Sequence, residues 1–126
     1  MRATFDTNIL IDFLNGVEAA RREIERFEDR SISVVTWMEV MVGADEEDEA
    51  DVESFLRAFQ VIPIDEQVAA EAVSLRRARR MRLPDAVIWA TARVRRALLV
   101  TRNTKDFPTD DVGVRVPYRL KHDQPR

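Results

Sequence analysis

Residues 83–92 read LPDAVIWATA and predict a helix that is apolar apart from one carboxylate, Asp85. Pro84 has a fixed φ and no N–H group, which suits a first helical turn, so we expect the helix to begin at or beside Asp85. Small and apolar side chains then recur at helical spacing and form a face to bury: Val87, Ala90, Thr91 and Val94. Considered without the other acids of the chain, Asp85 is most simply interpreted as an acid in a first helical turn, which the helix dipole stabilises by about 0.3–1 kcal/mol.

The composition is that of one soluble globular domain. Of 126 residues, 45% are hydrophobic and 34% charged, which predicts a real core under a charged surface. We expect the domain to span residues 1–120, followed by a polar tail, residues 121–126, in which His122 has no catalytic role. No apolar run approaches the roughly 20 residues of a membrane span, and no signal-type segment begins the chain, so we expect a cytoplasmic protein. The absence of cysteine excludes disulfides, thiolate metal sites and a cysteine nucleophile.

The charges are segregated along the chain. The net charge of −3 argues against nucleic-acid binding through bulk positive charge. However, residues 45–53 are rich in acids and residues 76–82 in arginines, so one side of the domain can hold a phosphate backbone while the total stays negative. Two solvated helix faces of opposite sign explain the pattern equally well, and the arginines can instead meet a partner subunit.

Strand-like and helix-like segments alternate along the chain. Strands are predicted at residues 3–5, 31–35, 61–64, 98–101 and 114–116, and helices at residues 9–14, 18–29, 36–43, 52–59, 68–75 and 85–94. Pro63 cannot donate to a ladder, which restricts its strand to a sheet edge. The alternation predicts an α/β fold, a three-layer α/β/α sandwich with a central parallel sheet.

Four acidic residues are predicted to converge at one edge of this sheet: Asp6, Glu39, Asp85 and Asp106. Three of them follow strands, and sites in parallel sheets form beyond the carboxyl ends of the strands. The fourth, Asp85, joins them if its helix docks beside the first strand. At about 4 Å and an effective dielectric near 20, two such charges repel by roughly 4 kcal/mol, so the cluster requires a cation.

The ligand types indicate which cation. Carboxylate oxygens without histidine or cysteine favour Mg²⁺ or Mn²⁺ over Zn²⁺. Such an ion can activate water and neutralise charge that develops on a phosphoryl group. The acids therefore predict metal-dependent hydrolysis of phosphodiester bonds.

Each acid also has a purely structural interpretation. Residues 36–39 (TWME) match a capping box in which Glu39 returns to the backbone. Asp6 can cap the helix that follows it, and Asp106 can be a turn residue. Two other acids are expected outside the site, the first as a helix cap and the second exposed: Asp65 and Asp12.

Four blocks of the sequence resemble PIN-domain ribonucleases and, within them, the VapC-type toxins of bacterial toxin–antitoxin pairs. The blocks are FDTN at 5–8, TWMEV with Gly43 at 36–43, LPDAVIWATA at 83–92 and VTRNTKDF at 100–107. They follow the family's order and approximate spacing and cover nearly the whole chain. The resemblance implies strand order 3-2-1-4-5, endoribonuclease activity on RNA with Mg²⁺ or Mn²⁺, a VapB-type antitoxin partner and, frequently, a homodimer.

The resemblance also implies roles for individual residues. Asp6 and Asp85 are predicted to bind the catalytic metal, and Glu39 to position or deprotonate a water. The position of the fourth acid stays undecided, because many PIN domains carry an acid at the position of Asn103 and others rely on the acid at the position of Asp106. In this chain Asp106 is predicted to hold an outer-shell water or a second ion. Further substrate or outer-shell contacts are predicted for Thr7, Thr101, Asn103, Arg102 and Lys105, although solvent-facing charges also explain the last two.

Two competing interpretations are kept. A haloacid-dehalogenase-type phosphatase also begins with an aspartate after its first strand, but it needs a second acid two residues later, where this chain has Asn8. A non-catalytic α/β interaction domain would use the acids only as helix caps and turn residues. That second interpretation predicts that replacing Asp6 or Asp85 changes stability by about 1 kcal/mol and abolishes no activity.

Overall fold

A computed structural model describes residues 1–121, which form a five-stranded parallel sheet and six helices. In chain order the elements are β1 Arg2–Phe5, α1 Thr7–Leu14, α2 Glu18–Glu25, β2 Asp29–Ser33, α3 Val34–Gly43, α4 Glu49–Leu56, β3 Gln60–Ile62, α5 Glu66–Arg79, α6 Leu83–Val94, β4 Leu98–Val100 and β5 Val114–Arg115. The sheet order is β3-β2-β1-β4-β5, and all four pairings are parallel. The predicted fold class and strand order are confirmed. Residues 122–126, with His122 and most of the predicted tail, lie outside the described residues.

Adjacent residues of β4 belong to two different hydrophobic cores. Val100 packs with Phe5 and Ile32 among side chains of α1, α2 and α4. Leu99 packs instead with side chains of α5 and α6. Because neighbouring side chains of a strand point to opposite faces of the sheet, helices cover both faces, as in the predicted three-layer sandwich. None of the helices found in residues 1–121 combines the length and the apolar character needed to cross a membrane.

Helix α6 is the most deeply packed helix of the second core. Every residue from Asp85 to Ala92 is buried, which is more than the single face that the sequence predicts. The helix begins at Leu83, after Arg82, and Pro84 lies in its first turn as predicted. Asp85 is consequently a buried acid in a first helical turn.

Helix α3 begins two residues earlier than the sequence predicts. The Ser33 side chain caps it by accepting a hydrogen bond from the Val35 N–H at 3.0 Å. The β-branched residues Val34 and Val35 favour the end of a strand, but the Ser33 cap commits them to the helix. Thr36 is therefore inside α3, and the prediction of a capping box between Thr36 and Glu39 is wrong.

Other boundaries differ by a few residues. Helix α2 ends at Glu25, four residues before the predicted end, and α4 begins and ends three residues early. Strand β3 ends before Pro63 and lies at an edge of the sheet, as predicted. Asp65 caps α5 by accepting a hydrogen bond from the Val68 N–H at 2.9 Å, which confirms that prediction.

Candidate functional site

Asp6 lies between β1 and α1 and is only 5% exposed. Its N–H donates to the Val100 carbonyl oxygen at 2.9 Å, which continues the pairing of β1 with β4. Its carboxylate accepts hydrogen bonds from the Thr7 N–H at 2.8 Å, the Thr101 hydroxyl at 2.7 Å and the Asn8 amide at 3.2 Å. Asp6 is thus the N-cap of α1, as its structural interpretation predicts, and at the same time lies at the carboxyl edge of the sheet.

The surroundings of Asp6 make its ionised form costly. Burial raises the pKa of Asp6 from its ordinary 3.8 to about 6, although the hydrogen bonds from Thr101 and Thr7 act to lower it. The charges of Asp85 and Glu39 raise this pKa further. A cation beside Asp6 would relieve both the desolvation and the repulsion.

Glu39 is exposed on α3 and turns toward the start of α1. Its Oε1 atom accepts a hydrogen bond from the Thr7 hydroxyl at 2.6 Å. The same hydroxyl lies 3.1 Å from the Thr36 hydroxyl, within the buried part of α3. Thr7, predicted as an outer-shell residue, therefore joins α1 to the Glu39 carboxylate.

Asp85 is 6% exposed and lies near two of the other predicted acids. Burial raises its pKa, the charge and hydrogen bond of Arg82 lower it, and the charges of Asp106 and Glu39 raise it again. Arg82 Nε lies 3.3 Å from Asp85 Oδ2. Asp85 and Glu39 also act on Asp6, so these three acids influence one another, and Asp106 joins them through its effect on Asp85.

The loop after β4 supplies the fourth acid. Asp106 is exposed, and its Oδ2 atom accepts a hydrogen bond from the Asn103 amide at 2.9 Å. In return, the Asp106 N–H donates to Asn103 Oδ1 at 3.1 Å, so Asp106 is also a turn residue. The Asn103 N–H donates to the buried Thr101 hydroxyl at 2.9 Å. Lys105 is exposed on the same loop and lines a shallow depression of about 300 Å³ with Asn103.

The sequence analysis missed a buried network that fixes this loop. Asp12 is 4% exposed, so the expectation that it is exposed is wrong. Its carboxylate accepts hydrogen bonds from Arg102 Nε at 2.8 Å, Arg102 Nη2 at 3.1 Å and the Tyr118 hydroxyl at 2.6 Å. The Arg102 N–H also donates to Asn8 Oδ1 at 3.2 Å, and Asn8 in turn contacts Asp6. A signal was present, because Asp12 interrupts the otherwise apolar run ILIDFL at residues 9–14.

The donor set fits a hard divalent cation. All four acids offer carboxylate oxygens, the ligands that Mg²⁺ and Mn²⁺ prefer, and two of them are buried. Glu39 and Asp85 each accept a hydrogen bond within the protein, from Thr7 and Arg82. Across residues 1–121, no three acidic or histidine side chains are grouped closely enough to surround a metal ion. Binding an ion therefore requires these side chains to exchange hydrogen bonds for metal contacts.

Comparisons with known proteins concern the family and the fold of this chain. The PIN domain model matches residues 3–109. A chain of the "Toxin-antitoxin complex from Klebsiella pneumoniae" is 44% identical, with a TM-score of 0.88 over 94% of this chain and 99% of that one. A chain of "DNA bound VapBC from Salmonella typhimurium" is 27% identical, with a TM-score of 0.76 over 91% of this chain and 96% of that one. A chain of FitAcB from Neisseria gonorrhoeae is 25% identical, with a TM-score of 0.77 over 94% of this chain and 99% of that one. A search of curated proteins found no match.

Proposed function

The chain belongs to the PIN domain family, and from that premise we propose that it is the toxin of a VapB–VapC-type pair, an endoribonuclease that hydrolyses RNA phosphodiester bonds with Mg²⁺ or Mn²⁺. The observation that carries this proposal is the electrostatic influence of Asp85 and Glu39 on the buried Asp6, whose pKa is raised to about 6, with Asp106 acting in turn on Asp85. Unlike Asp12, which is buried against Arg102, Asp6 has no cationic partner among residues 1–121 that would offset its burial.

The proposed mechanism divides the work among the acids. Asp6 and Asp85, the two buried carboxylates, would hold the catalytic ion, and Asp106 would hold an outer water or a second ion. When bound, the ion supplies activation of water and neutralisation of charge on the phosphoryl group. Glu39 is exposed and is oriented by Thr7, so its Oε atoms are suited to accept the proton of the water that attacks phosphorus in line.

Neighbouring side chains would support these acids. Thr101 and Asn8 donate to Asp6 and fix the direction of its oxygens. Asn103 does the same for Asp106 but adds no charge, which favours weak binding of any second ion. The guanidinium of Arg102 is engaged by Asp12, which favours a supporting role for Arg102 over contact with RNA, whereas Lys105 is exposed beside the site.

The partners proposed for this chain follow from its relatives. Three similar solved structures are described as a toxin–antitoxin complex, a VapBC complex and FitAcB. We therefore propose a VapB-type antitoxin as the inhibitor of this chain. The resemblance to VapC-type toxins further leads us to propose a homodimer as its assembly. Co-expression with the product of an adjacent small reading frame, followed by size-exclusion chromatography, tests both.

The deciding experiment is cleavage of a total RNA pool by the purified protein with Mg²⁺ or Mn²⁺, with and without chelator. Asp6→Asn is expected to abolish cleavage. Asp65→Asn is the matched control, because Asp65 caps α5 as Asp6 caps α1 and asparagine caps as well as aspartate. Equal inertness of wild type and Asp6→Asn with both metals, and no metal binding by calorimetry, would instead establish the non-catalytic interaction domain.

A further inference from the structure

The arginine-rich segment has an unusual pairing pattern. Five arginines, here called the arginine strip, lie exposed between the end of α5 and the start of α6: Arg76, Arg77, Arg79, Arg80 and Arg82. Most other arginines of the described chain form ion pairs, for example Arg57 with Glu53 and Arg93 with Glu71. Within residues 1–121, only Arg82 of the strip has a carboxylate partner, which is Asp85. Uncompensated charges of one sign repel each other, so the strip is poised for an anionic partner.

The helix dipole explains only part of the strip. Cations in a last helical turn are stabilised by the partial negative charge of the helix end, and three strip residues lie in the last turn of α5: Arg76, Arg77 and Arg79. Arg80 and Arg82 lie beyond the helix, where this effect fades. Arg82 instead pairs with Asp85, whereas Arg80 has no carboxylate partner among the described residues.

Arg80 also occupies a backbone conformation that does not suit arginine. Its φ is 54°, in the left-handed region, at the C-cap of α5. Glycine is the usual residue where a helix ends in this conformation, because a Cβ atom is disfavoured there. Glycine in place of Arg80 would therefore preserve the end of α5 while removing the charge.

Two members of the arginine strip contact other parts of the protein. Arg76 Nη1 donates to the Met81 carbonyl oxygen at 2.8 Å, and the Arg79 guanidinium lies 5.0 Å from the centre of the Trp89 ring. These contacts hold the turn between α5 and α6 against the second core. The members of the strip that remain for contacts with phosphate are Arg77, Arg80 and Arg82.

The strip ends at the candidate active site. The Arg82 side chain is 76% exposed, yet its Nε atom reaches Asp85 at 3.3 Å. A polyanion lying along the strip would therefore arrive at the edge that carries Asp85 and Asp6. We infer that the arginine strip binds the phosphate backbone of single-stranded RNA and leads the strand into the site. This inference rests on the proposed function and adds the surface that binds the substrate.

The test compares two arginine-to-glycine substitutions. Arg80→Gly removes one charge from the strip and relieves the left-handed backbone. Arg96→Gly is the matched control, because Arg96 is also exposed, has φ of 55° and lacks a carboxylate partner among the described residues. It follows α6 at the end opposite Asp85, roughly 18 Å away along a helix of this length. Neither variant is expected to melt below wild type.

Binding is measured by fluorescence anisotropy with a labelled, mixed-sequence single-stranded RNA in chelator, over a series of salt concentrations. Each phosphate contact contributes about 0.7 to the slope of log affinity against log salt for single strands. Arg80→Gly is expected to weaken binding several-fold and to lower the slope by about that amount. Arg77→Gln combined with Arg80→Gly should lower it by about twice as much. Arg96→Gly should leave affinity and slope near wild type.

Three results would overturn the inference. Equal weakening by Arg96→Gly would show that only net charge matters. Unchanged RNA binding with an altered sedimentation coefficient for Arg80→Gly would make the strip a subunit interface. Metal-dependent cleavage by wild type, measured in parallel, separates this inference from the proposed function. If the inference holds, Arg80→Gly raises KM for RNA and leaves kcat unchanged; if wild type cleaves while Arg80→Gly changes nothing, the proposed function stands and the inference fails.

Discussion

The Thr101 hydroxyl donates to the Asp6 carboxylate at 2.7 Å, and both residues are buried. Each residue directly follows a strand, Asp6 after β1 and Thr101 after β4, and the register pairs Phe5 with Val100 just before them. The parallel pairing thus places a hydroxyl donor from one strand against the acid from its neighbour. This hydrogen bond lowers the pKa that burial raises, so it keeps part of the Asp6 population ionised.

Thr101→Val is expected to move the acidic limb of the pH–activity profile to higher pH. The substitution keeps the shape of the side chain but removes the donor to Asp6, and a hydrogen bond to a charged group contributes about 1.5–3 kcal/mol. At about 1.4 kcal/mol for each pKa unit, the limb should move by roughly one to two pH units. The control is Thr91→Val, which removes a buried hydroxyl that donates only to the Val87 carbonyl oxygen. Coincident profiles for the two variants would contradict the role given to Thr101.

Asp6→Asn is expected to stabilise the metal-free protein at neutral pH. Because the pKa of Asp6 is raised to about 6 in the folded protein, the folded state binds more protons than the unfolded state between about pH 4 and 6. The stability of wild type therefore falls as pH rises through this window, and by pH 7 the cost reaches about 2–3 kcal/mol. Asparagine carries no such cost.

Urea unfolding in chelator at several pH values measures this difference. The advantage of Asp6→Asn should be largest above pH 6 and should vanish below about pH 3, since Asp6 is protonated there in both states. Asp65→Asn, which alters an exposed cap, should track wild type throughout. An advantage that does not change with pH would show that the ionisation of Asp6 is not its cause.

Mn²⁺ is expected to raise the melting temperature of wild type and to leave that of Asp6→Asn nearly unchanged. An ion that binds only the folded state stabilises it by about 2.7 kcal/mol at 100 times its dissociation constant. Protons compete with the ion for the carboxylates of Asp6 and Asp85, whose pKa values are raised. The shift in melting temperature should therefore shrink as pH falls below 6. Differential scanning fluorimetry measures the shift, and chelator should reverse it. The same shift in Asp6→Asn would place the ion elsewhere.

The sequence was sufficient for the parts of the fold that rest on periodicity and turn chemistry. Pro63 predicted an edge strand, and Asp65 predicted a helix cap, because each acts through its own backbone neighbourhood. It was insufficient for Val34 and Val35, whose β-branched side chains predict a strand while the Ser33 cap makes them helical. Local propensity is a weak prior that such a cap overrides.

The candidate site shows the same division. Its acids follow from strand ends and the resemblance, whereas the partners of Asp12 are far along the chain. Arg102 and Tyr118 reach Asp12 across 90 and 106 residues, respectively. No local pattern encodes such a contact, although an acid within an apolar run already indicates burial. Conversely, Arg82 is the N-cap residue of α6 and lies only three residues before Asp85, so this contact is local in the sequence.

Asp12→Asn is expected to cost about 3–5 kcal/mol of unfolding free energy, because it leaves the guanidinium of Arg102 buried beside a neutral partner. Tyr118→Phe removes only one hydrogen bond to the same carboxylate and should cost about 1.5–3 kcal/mol. Burial and Asp12 raise the pKa of Tyr118, so its hydroxyl stays a donor across the accessible pH range. Urea denaturation of both variants measures the two costs. Equal losses would show that the ion pair contributes nothing beyond the hydrogen bond.

Asn103→Asp is expected to weaken the metal-free loop and to strengthen metal binding. The Asn103 amide now donates to Asp106, and a carboxylate at that position would repel it, at a cost of about 1 kcal/mol for exposed groups. With Mn²⁺ present, the added charge becomes a favourable ligand next to Asp106. Calorimetric titration should therefore show tighter binding or a second ion, and the melting temperature should depend more steeply on Mn²⁺ than in wild type.

Asn103→Ala is the control, because it removes the same hydrogen bond without adding charge and should weaken the loop alone. If Asn103→Asp binds Mn²⁺ no better than Asn103→Ala does, the position of Asn103 lies outside the reach of the metal, and Asp106 alone completes the set of acids at the edge of the sheet.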